Sequence, residues 1–282
     1  MSDEFEAHRR RCFAIAYRML GSAAEAQDVL QEAWIRWQSA ADVQSPGAYL
    51  AATVTRLCLD QRKSARVRRE QYVGPWLPEP IDTAGQDEID PESISMAFLL
   101  LLERLSPVER AAFLLRQVFE LDYAEIATVL GGSEAAARQS FHRANEHLRV
   151  DRPRYAPSKE QHLRLLTSFL SAVQTGQAGA IEAVLAEDVR CWSDAGGRRR
   201  AALKTVTGRR QVAALFAGLI KKGNAVGWRP ELRELNGWPA LLLWSGAQLE
   251  LTLSIETDGE AIFGVHVMLN PDKLRMLTQL PV

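Results

Sequence analysis

Cysteine is scarce in this sequence: 282 residues hold three, Cys12, Cys58 and Cys191. They lie far apart, in no CxxC or His-paired spacing, which excludes a zinc site or a disulfide framework and fits a reducing compartment. Long apolar runs are missing as well. The longest, Met96 to Leu102, falls far short of the roughly 20 residues needed to cross a bilayer. The opening stretch MSDEFEAHRRR lacks the apolar core of a signal segment, so the expectation is a soluble, cytoplasmic chain with no membrane association. Nor is there an excess of positive charge: 34 Lys and Arg stand against 35 Asp and Glu, and residues 1–155 alone hold 19 against 23. Counterion release from nucleic acid requires clustered cations. A general nucleic-acid coat is therefore excluded, and a DNA reader in the first half needs a partner to supply affinity. No spacing asks for a metal or a cofactor. What is present is ordinary globular composition, 47% apolar and 24% charged, enough for two or three domains and against large-scale disorder.

The most informative stretch runs from Leu121 to Arg149, LDYAEIATVLGGSEAAARQSFHRANEHLR. Asp122, with Glu125 three residues on, makes a capping box for one helix. Gly131 and Gly132 allow a sharp turn, and Ser133 is an N-cap for a second helix that carries Glu134 at its positive end. Ala137, Phe141, Ala144 and Leu148 share a face that suits Ile126, Ala127 and Leu130 of the first helix. The opposite face carries Gln139, His142 and Arg143, flanked by Arg138. A short helix, a tight turn and a longer helix with donors near its start is the layout of a DNA-reading helix-turn-helix. There Arg reads guanine and Gln reads adenine, each good pair discriminating by about 1–3 kcal/mol. The same residues also suit an ordinary helical hairpin with a solvated polar face, and the neighbours have to decide between the two.

From the start, a helix is predicted over about Phe5 to Leu20, stopping at Gly21. Ser22 and Glu25 then open a second, AAEAQDVLQEAWIRWQ, whose Asp28, Gln31, Glu32 and Arg36 remain outward. Ser45 and Pro46 start a long helix from about Gly47 to Glu70. Its second half, from Arg56, holds six Lys and Arg against two acids. Beside Trp34 and Trp37 such a half-helix can hold phosphates and stack unpaired bases, or else the tryptophans are core and the charges merely solvate a helix end. Pro75, Pro78 and Pro80 then forbid a helix, and Glu79 to Glu92 has six acidic side chains and no basic one. That composition reads as a linker. Helix resumes near Ser93, and Ser106, Pro107 and Glu109 start another, so that Ser93 to Arg149 is expected to form one helical unit.

The order of Leu20-Gly21, DVLQEAWIRW, LDQRKSARVRRE, LSPVERAAFLL and DYAEIATVLGGSEAAARQSFHRA resembles the extracytoplasmic-function sigma factors of the sigma-70 family. WLPEP at Trp76, Leu77, Pro78, Glu79 and Pro80, with NPDKL from Asn270, resembles the SigJ-like subgroup, which carries a C-terminal SnoaL-like, NTF2-like extension. Where that subgroup has DGGGK, this chain has Asp194, Ala195, Gly196, Gly197 and Arg198. The resemblance implies a multi-domain chain: region 2 over 5–72, a Pro-rich acidic linker over 73–92, region 4 with its helix-turn-helix over 93–152, and a SnoaL-like α+β cone over 158–282. It implies core RNA polymerase as partner, through the β′ coiled coil and the β flap, with promoter DNA read at the −10 and −35 elements. Asp28, Gln31, Glu32, Trp34 and Arg36 become the polymerase-facing candidates. Arg56, Lys63, Arg66 and Arg62 fall to the −10 strand, with Asn in many relatives where Arg56 stands, and Arg138, Gln139, His142 and Arg143 fall to the −35 duplex. The acidic linker either follows the path that nascent RNA later takes, offering like charge, or is a plain solvated connector.

Residues 160–282 change character. Helices are predicted at Gln161 to Gln174, Ala180 to Ala186 and Arg209 to Lys222. Strands are predicted at DVRCWSD, near Arg229 to Leu235, Ala240 to Trp244, Gln248 to Glu256 and Ala261 to Leu269. Helices followed by antiparallel strands suggest an α+β cone. As a tethered enzyme the cone would need an acid/base pair, for which Asp194 and His266 are the candidates. As a ligand-responsive one-component regulator it would leave the region 2 pattern unexplained. The expected role is a built-in regulator, with WLPEP and the loop from Asp194 to Arg198 as its working parts. Docked on the linker or on region 2, the cone would fix the spacing of the two readers, with no dedicated anti-sigma factor required.

Overall fold

The computed structural model describes residues 3–85, 91–149, 157–221 and 227–278, the side chains of 63–70 and 149 excepted. Its contacts divide the chain into two units, one of Met1–Gln71 with Leu99–Arg152, the other of Tyr72–Phe98 with Pro153–Val282. In the first, α1 (Asp3–Leu20), α2 (Ala23–Gln38) and α3 (Pro46–Glu70) form a bundle in which α1 packs on both partners. The stop and restart fall at Gly21 and Ser22, as the sequence predicts. The Ser22 hydroxyl accepts the Glu25 N–H at 3.1 Å, a cap worth about 1 kcal/mol. Phe5, Ile15, Tyr17, Met19, Leu50 and Val54 are buried between the helices.

Four more helices follow: α4 (Met96–Leu102), α5 (Pro107–Gln117), α6 (Tyr123–Leu130) and α7 (Glu134–Arg149). Reciprocal capping boxes form at Ser106 with Glu109 and at Asp122 with Glu125. Ala112, Leu115, Ile126, Ala127, Val129 and Ala137 make the helix-turn-helix core, and Ala52 of α3 packs against it. The two predicted reading regions therefore share one packed unit.

In the second unit, α8 (Lys159–Thr175), α9 (Ala178–Glu182) and α10 (Arg209–Lys221) cover one face of a sheet. Its strands are β1 (Leu185–Asp194), β2 (Val206–Thr207), β3 (Arg229–Leu235), β4 (Trp238–Ser245), β5 (Gln248–Thr257) and β6 (Ile262–Met268), in the order β2-β1-β6-β5-β4-β3. This is the α+β cone the sequence implies, with a difference: β1 runs parallel to β6, Cys191 facing Val265 and Asp194 facing Met268, while the other pairs are antiparallel. Val189, Cys191, Leu253, Ile255, Val265 and Val267 point to the helices, where Leu166, Phe169, Val212 and Phe216 meet them. A final helix beyond the predicted elements, α11 (Pro271–Thr278), is started by the Asn270 side chain, which accepts the Asp272 N–H at 3.0 Å.

The stretch read as a linker belongs to this unit, and its described part is not a solvated connector. Leu77, Pro78, Glu79 and Pro80 are buried, and so is Ile94. Residues 81–83 lie along the free edge of β3. The Thr83 N–H donates to the Glu234 carbonyl at 3.1 Å, the Asn236 N–H donates to the Ile81 carbonyl at 2.9 Å, and Asp82 bridges Leu235 antiparallel. An open strand edge is an adhesive surface, and here the chain's own linker occupies part of it. Residues 93–98, expected in the second helical unit, also pack here: Asn236 Nδ2 donates to the Ile94 carbonyl at 2.9 Å.

Candidate functional site

The helix-turn-helix is built as its residues dictate. Asp122 accepts the Glu125 N–H at 2.7 Å, while Glu125 accepts the Asp122 N–H at 2.8 Å. Gly131 ends α6 in the left-handed conformation, and the Ser133 hydroxyl caps α7 by accepting the Ala136 N–H at 3.2 Å. Ala137, Ser140, Ala144 and Leu148 turn inward, which leaves Arg138, Gln139, His142 and Arg143 together on the exposed face. Three of them are held by neighbours. Arg138 pairs with Glu134 at 2.6 Å and lies 4.6 Å from the centre of the Tyr123 ring, and His142 stands 3.6 Å from Glu146. Arg143 pairs with Glu109 at 3.1 Å. Burial opposes ionisation of Glu109, but hydrogen bonds from Ser106 and Arg143, with His147 beside it, together hold its pKa below the usual range. The α5 cap residue thereby orients a candidate base-reading arginine.

The bundle divides its candidates. On α2, Asp28, Gln31 and Arg36 are exposed and Glu32 half-buried, Arg36 pairing with Glu32 at 3.0 Å. Trp34 departs from this face: half-buried, it packs edge-on against Phe5 with ring centres 5.0 Å apart. The large apolar side chain that α2 does expose is Ile35, which is not among the predicted polymerase-facing residues. Trp34 and Trp37 line an open cavity of about 460 Å³ with Glu4, Gln38, Ala40 and Val43, and Trp37 also meets Tyr49 at 5.9 Å.

Arg62 is a correction. Expected to face a DNA strand, it is buried and donates to the Met19 carbonyl at 2.7 Å, 3.5 Å from Glu103. Arg110, wholly buried, donates to the Arg18 carbonyl at 2.7 Å and pairs with the same Glu103. The last carbonyls of a helix lack partners within it, and two guanidiniums meet that need for α1. Arg56 is engaged too, with carbonyls of α6 (Nε to Val129 at 2.9 Å, Nη2 to Thr128 at 2.6 Å). The side chains of Lys63 and Arg66 lie outside the described residues.

The second unit holds a cluster that the sequence signalled only in pieces. Asp194, at the end of β1, is fully buried. It accepts from the Tyr72 hydroxyl at 2.5 Å, the Leu77 N–H at 2.8 Å and the Lys273 ammonium at 2.7 Å. Lys273, on α11, also donates to the Leu77 carbonyl at 2.6 Å and lies 4.2 Å from the centre of the Trp76 ring. Asn270 Nδ2 donates to the Tyr72 oxygen at 2.8 Å. Burial, then the Asp194 hydrogen bond, pushes the Tyr72 phenol well above its ordinary pKa. Gly196 has φ 56°, and a Cβ there would stand 2.3 Å from Asn270 Nδ2 and 3.0 Å from the Tyr72 hydroxyl. Only glycine leaves room for this knot. Gly197 lies against Val73, and Arg198 is a surface residue paired with Asp272 at 3.4 Å. The buried cation is thus Lys273, not the arginine that ends the loop. Tyr72, Asn270 and Lys273 were missed as site residues, although NPDKL pointed toward two of them.

Asp194 and His266 do not form an acid/base pair. His266 is buried, stacked on Trp192 at 4.9 Å with Nε2 3.0 Å from Glu256, while Asp194 is committed to the linker and Lys273. Among the linker acids, Glu79 is buried and Asp82 pairs with Arg233 at 3.4 Å. Asp87, Glu88 and Asp90 lie outside the described residues. Among the described residues no group of His, Cys, Asp and Glu could hold a metal ion, and no helix is long and apolar enough to cross a membrane.

Comparison with known proteins agrees with this layout. Residues 5–68 match the sigma-70 region 2 family and residues 95–148 match sigma-70 region 4. The ECF RNA polymerase sigma factor SigJ of Mycobacterium tuberculosis is 38% identical over 228 residues, which cover 78% of this chain and 73% of that protein. A probable ECF sigma factor of the same organism, SigI, is 29% identical over 283 residues, 97% of this chain and 94% of the relative. The crystal structure of M. tuberculosis SigJ aligns with 97% of this chain and 98% of its own, at a TM-score of 0.77 and 31% identity. With two reading regions in the expected order and a relative 38% identical over 78% of the chain, the chain belongs to the extracytoplasmic-function sigma factors of the sigma-70 family.

Proposed function

We propose that this sigma factor is regulated in cis by its own cone, which holds the linker between region 2 and region 4 through the Asp194 knot. As a member of its family the chain directs promoter-specific transcription initiation by RNA polymerase and is not an enzyme. The observation that carries the regulatory reading is the buried Asp194 carboxylate. One face meets the Leu77 N–H of the linker, and Lys273 ties carboxylate and linker carbonyl together. A hold on the one segment that joins the two readers limits where each can stand, which is the control that a separate anti-sigma factor otherwise supplies; none is required in this reading.

Within it, Arg138, Gln139, His142 and Arg143 read the −35 duplex, and Arg56, Lys63 and Arg66 serve the −10 strand beside the Trp34 and Trp37 cavity. Asp28, Gln31, Glu32 and Arg36, with Ile35 added, face polymerase in the cytoplasm. The deciding experiment is transcription in vitro with core polymerase on a promoter library, comparing the full chain, a form ending near residue 157, and Lys273→Met. The two altered forms are expected to share a changed promoter spacing preference. Identical output from all three would end the proposal.

A further inference from the structure

We infer that Arg56 is a latch: in the free protein it holds region 4 against region 2 by capping the end of α6, and it must let go before it can meet a promoter. The geometry is specific. Nε and Nη2 of one guanidinium donate to successive carbonyls, Val129 and Thr128, at 2.9 and 2.6 Å. These belong to the last turn of α6, where carbonyls have no partner within the helix and the dipole is negative. A cation from 72 residues away supplies what a local cap would.

This arrangement cannot persist on a promoter. Elements named −10 and −35 lie roughly 25 base pairs apart, or about 85 Å at 3.4 Å per base pair, whereas here α3 packs directly on α6. The unit is therefore the closed form, and opening it breaks the Arg56 bonds. Among the other described ties between the regions, Arg11 of α1 also lies at the surface, donating to the Phe119 carbonyl at 3.2 Å. Arg62 and Arg110 are buried around Glu103 and the end of α1, whereas Arg56 stands at the surface. Arg56 can be exchanged without dismantling a core and, unlike Arg11, it holds two successive carbonyls of one helix end. Release of α6 and exposure of the guanidinium are then one event, so the −10 candidate is occupied while the readers are closed and free once they part. The second half of this inference rests on the assignment of Arg56 to the −10 strand; the latch itself does not.

The test uses the full chain with spin labels on non-natural residues at two exposed positions, Gln27 on α2 and Ala135 on α7, which leaves the buried cysteines untouched. Wild type is expected to give one short separation, replaced by a longer one on adding core polymerase. Arg56→Ala is expected to shift the free protein toward longer separations with unchanged circular dichroism, and Arg56→Lys, which keeps the charge but not the fork, to shift it less. A distribution identical in wild type and Arg56→Ala overturns the latch. In transcription with core polymerase, Arg56→Ala should also change preference at one −10 position by about fivefold or more. A shifted separation with unaltered −10 preference overturns the exchange of partners and leaves the closing role alone.

Discussion

Single side chains decide how firmly the cone grips the linker. Asp194 is buried with one cation and two neutral donors upon it, so removing it takes from the buried Lys273 ammonium the carboxylate at 2.7 Å. Breaking one side of such a pair costs about 3–5 kcal/mol. Asp194→Ala is expected to lower full-chain stability by that amount in urea titrations, and to open Tyr72–Pro80 to proteolysis before the rest unfolds. His162 sets a pH dependence of definite sign. Burial lowers its pKa from 6.5 to about 4, against the opposing pull of the Ile255 carbonyl, and its ring stacks on Trp238. The unfolded chain takes up a proton below pH 6.5 that the folded cone refuses until about 4. The stability is thus full above pH 6.5, declines as pH falls through that window, and declines no further below it. At 1.36 kcal/mol per unit this comes to about 3 kcal/mol. His162→Phe should remove that share of the acid sensitivity, measured as the difference in unfolding free energy between pH 7 and pH 4.5.

At the scale of elements, the helix-turn-helix presents Gln139 beside Arg143 on an exposed face. Gln139→Ala is expected to change which −35 bases are preferred by about 1–3 kcal/mol, read from a promoter library, with the −10 preference unmoved. The β3–β4 turn is the linker's second anchor. A Cβ on Gly237, at φ 79°, would stand 2.5 Å from the Pro91 backbone. Gly237→Ala should displace residues 91–94 and hasten their proteolysis while the sheet itself persists. Elements like α6 and α7 were legible in the sequence because their signals are local: Asp122 with Glu125 and Ser133 with its two preceding glycines act within four residues. The linker was misread for the opposite reason. Prolines and acids in a row describe a solvated segment until their partners are known, and Asp194, Glu234, Asn236 and Lys273 lie more than 100 residues on. Arg62 failed similarly: in a run of cations, nothing local says which turn faces the end of α1. The parallel β1–β6 pairing joins strands separated by α10 and the hairpins, a crossover that strand patterns alone do not reveal.

For the whole molecule, charge and packing point the same way. The first 155 residues carry more acid than base, and several of their cations, Arg62 and Arg110 among them, are spent on internal carbonyls and Glu103. The free protein is expected to bind promoter duplex weakly at moderate salt in gel-shift experiments, and specifically only when joined to core polymerase. Tight specific binding by the free protein would contradict the reading. Family and domain order could be recognised from motifs spread along the chain; which segment belongs to which unit could not, because that depends on tertiary partners. The segment Tyr72–Phe98 leaves one unit, joins the other and returns, and this has a consequence for biosynthesis. The ribosome releases both halves of the helical unit before any strand of the sheet exists, so Leu77 and Ile94 emerge without the surface that will bury them. Every nascent chain passes through an interval with the cone still unmade and these apolar side chains uncovered.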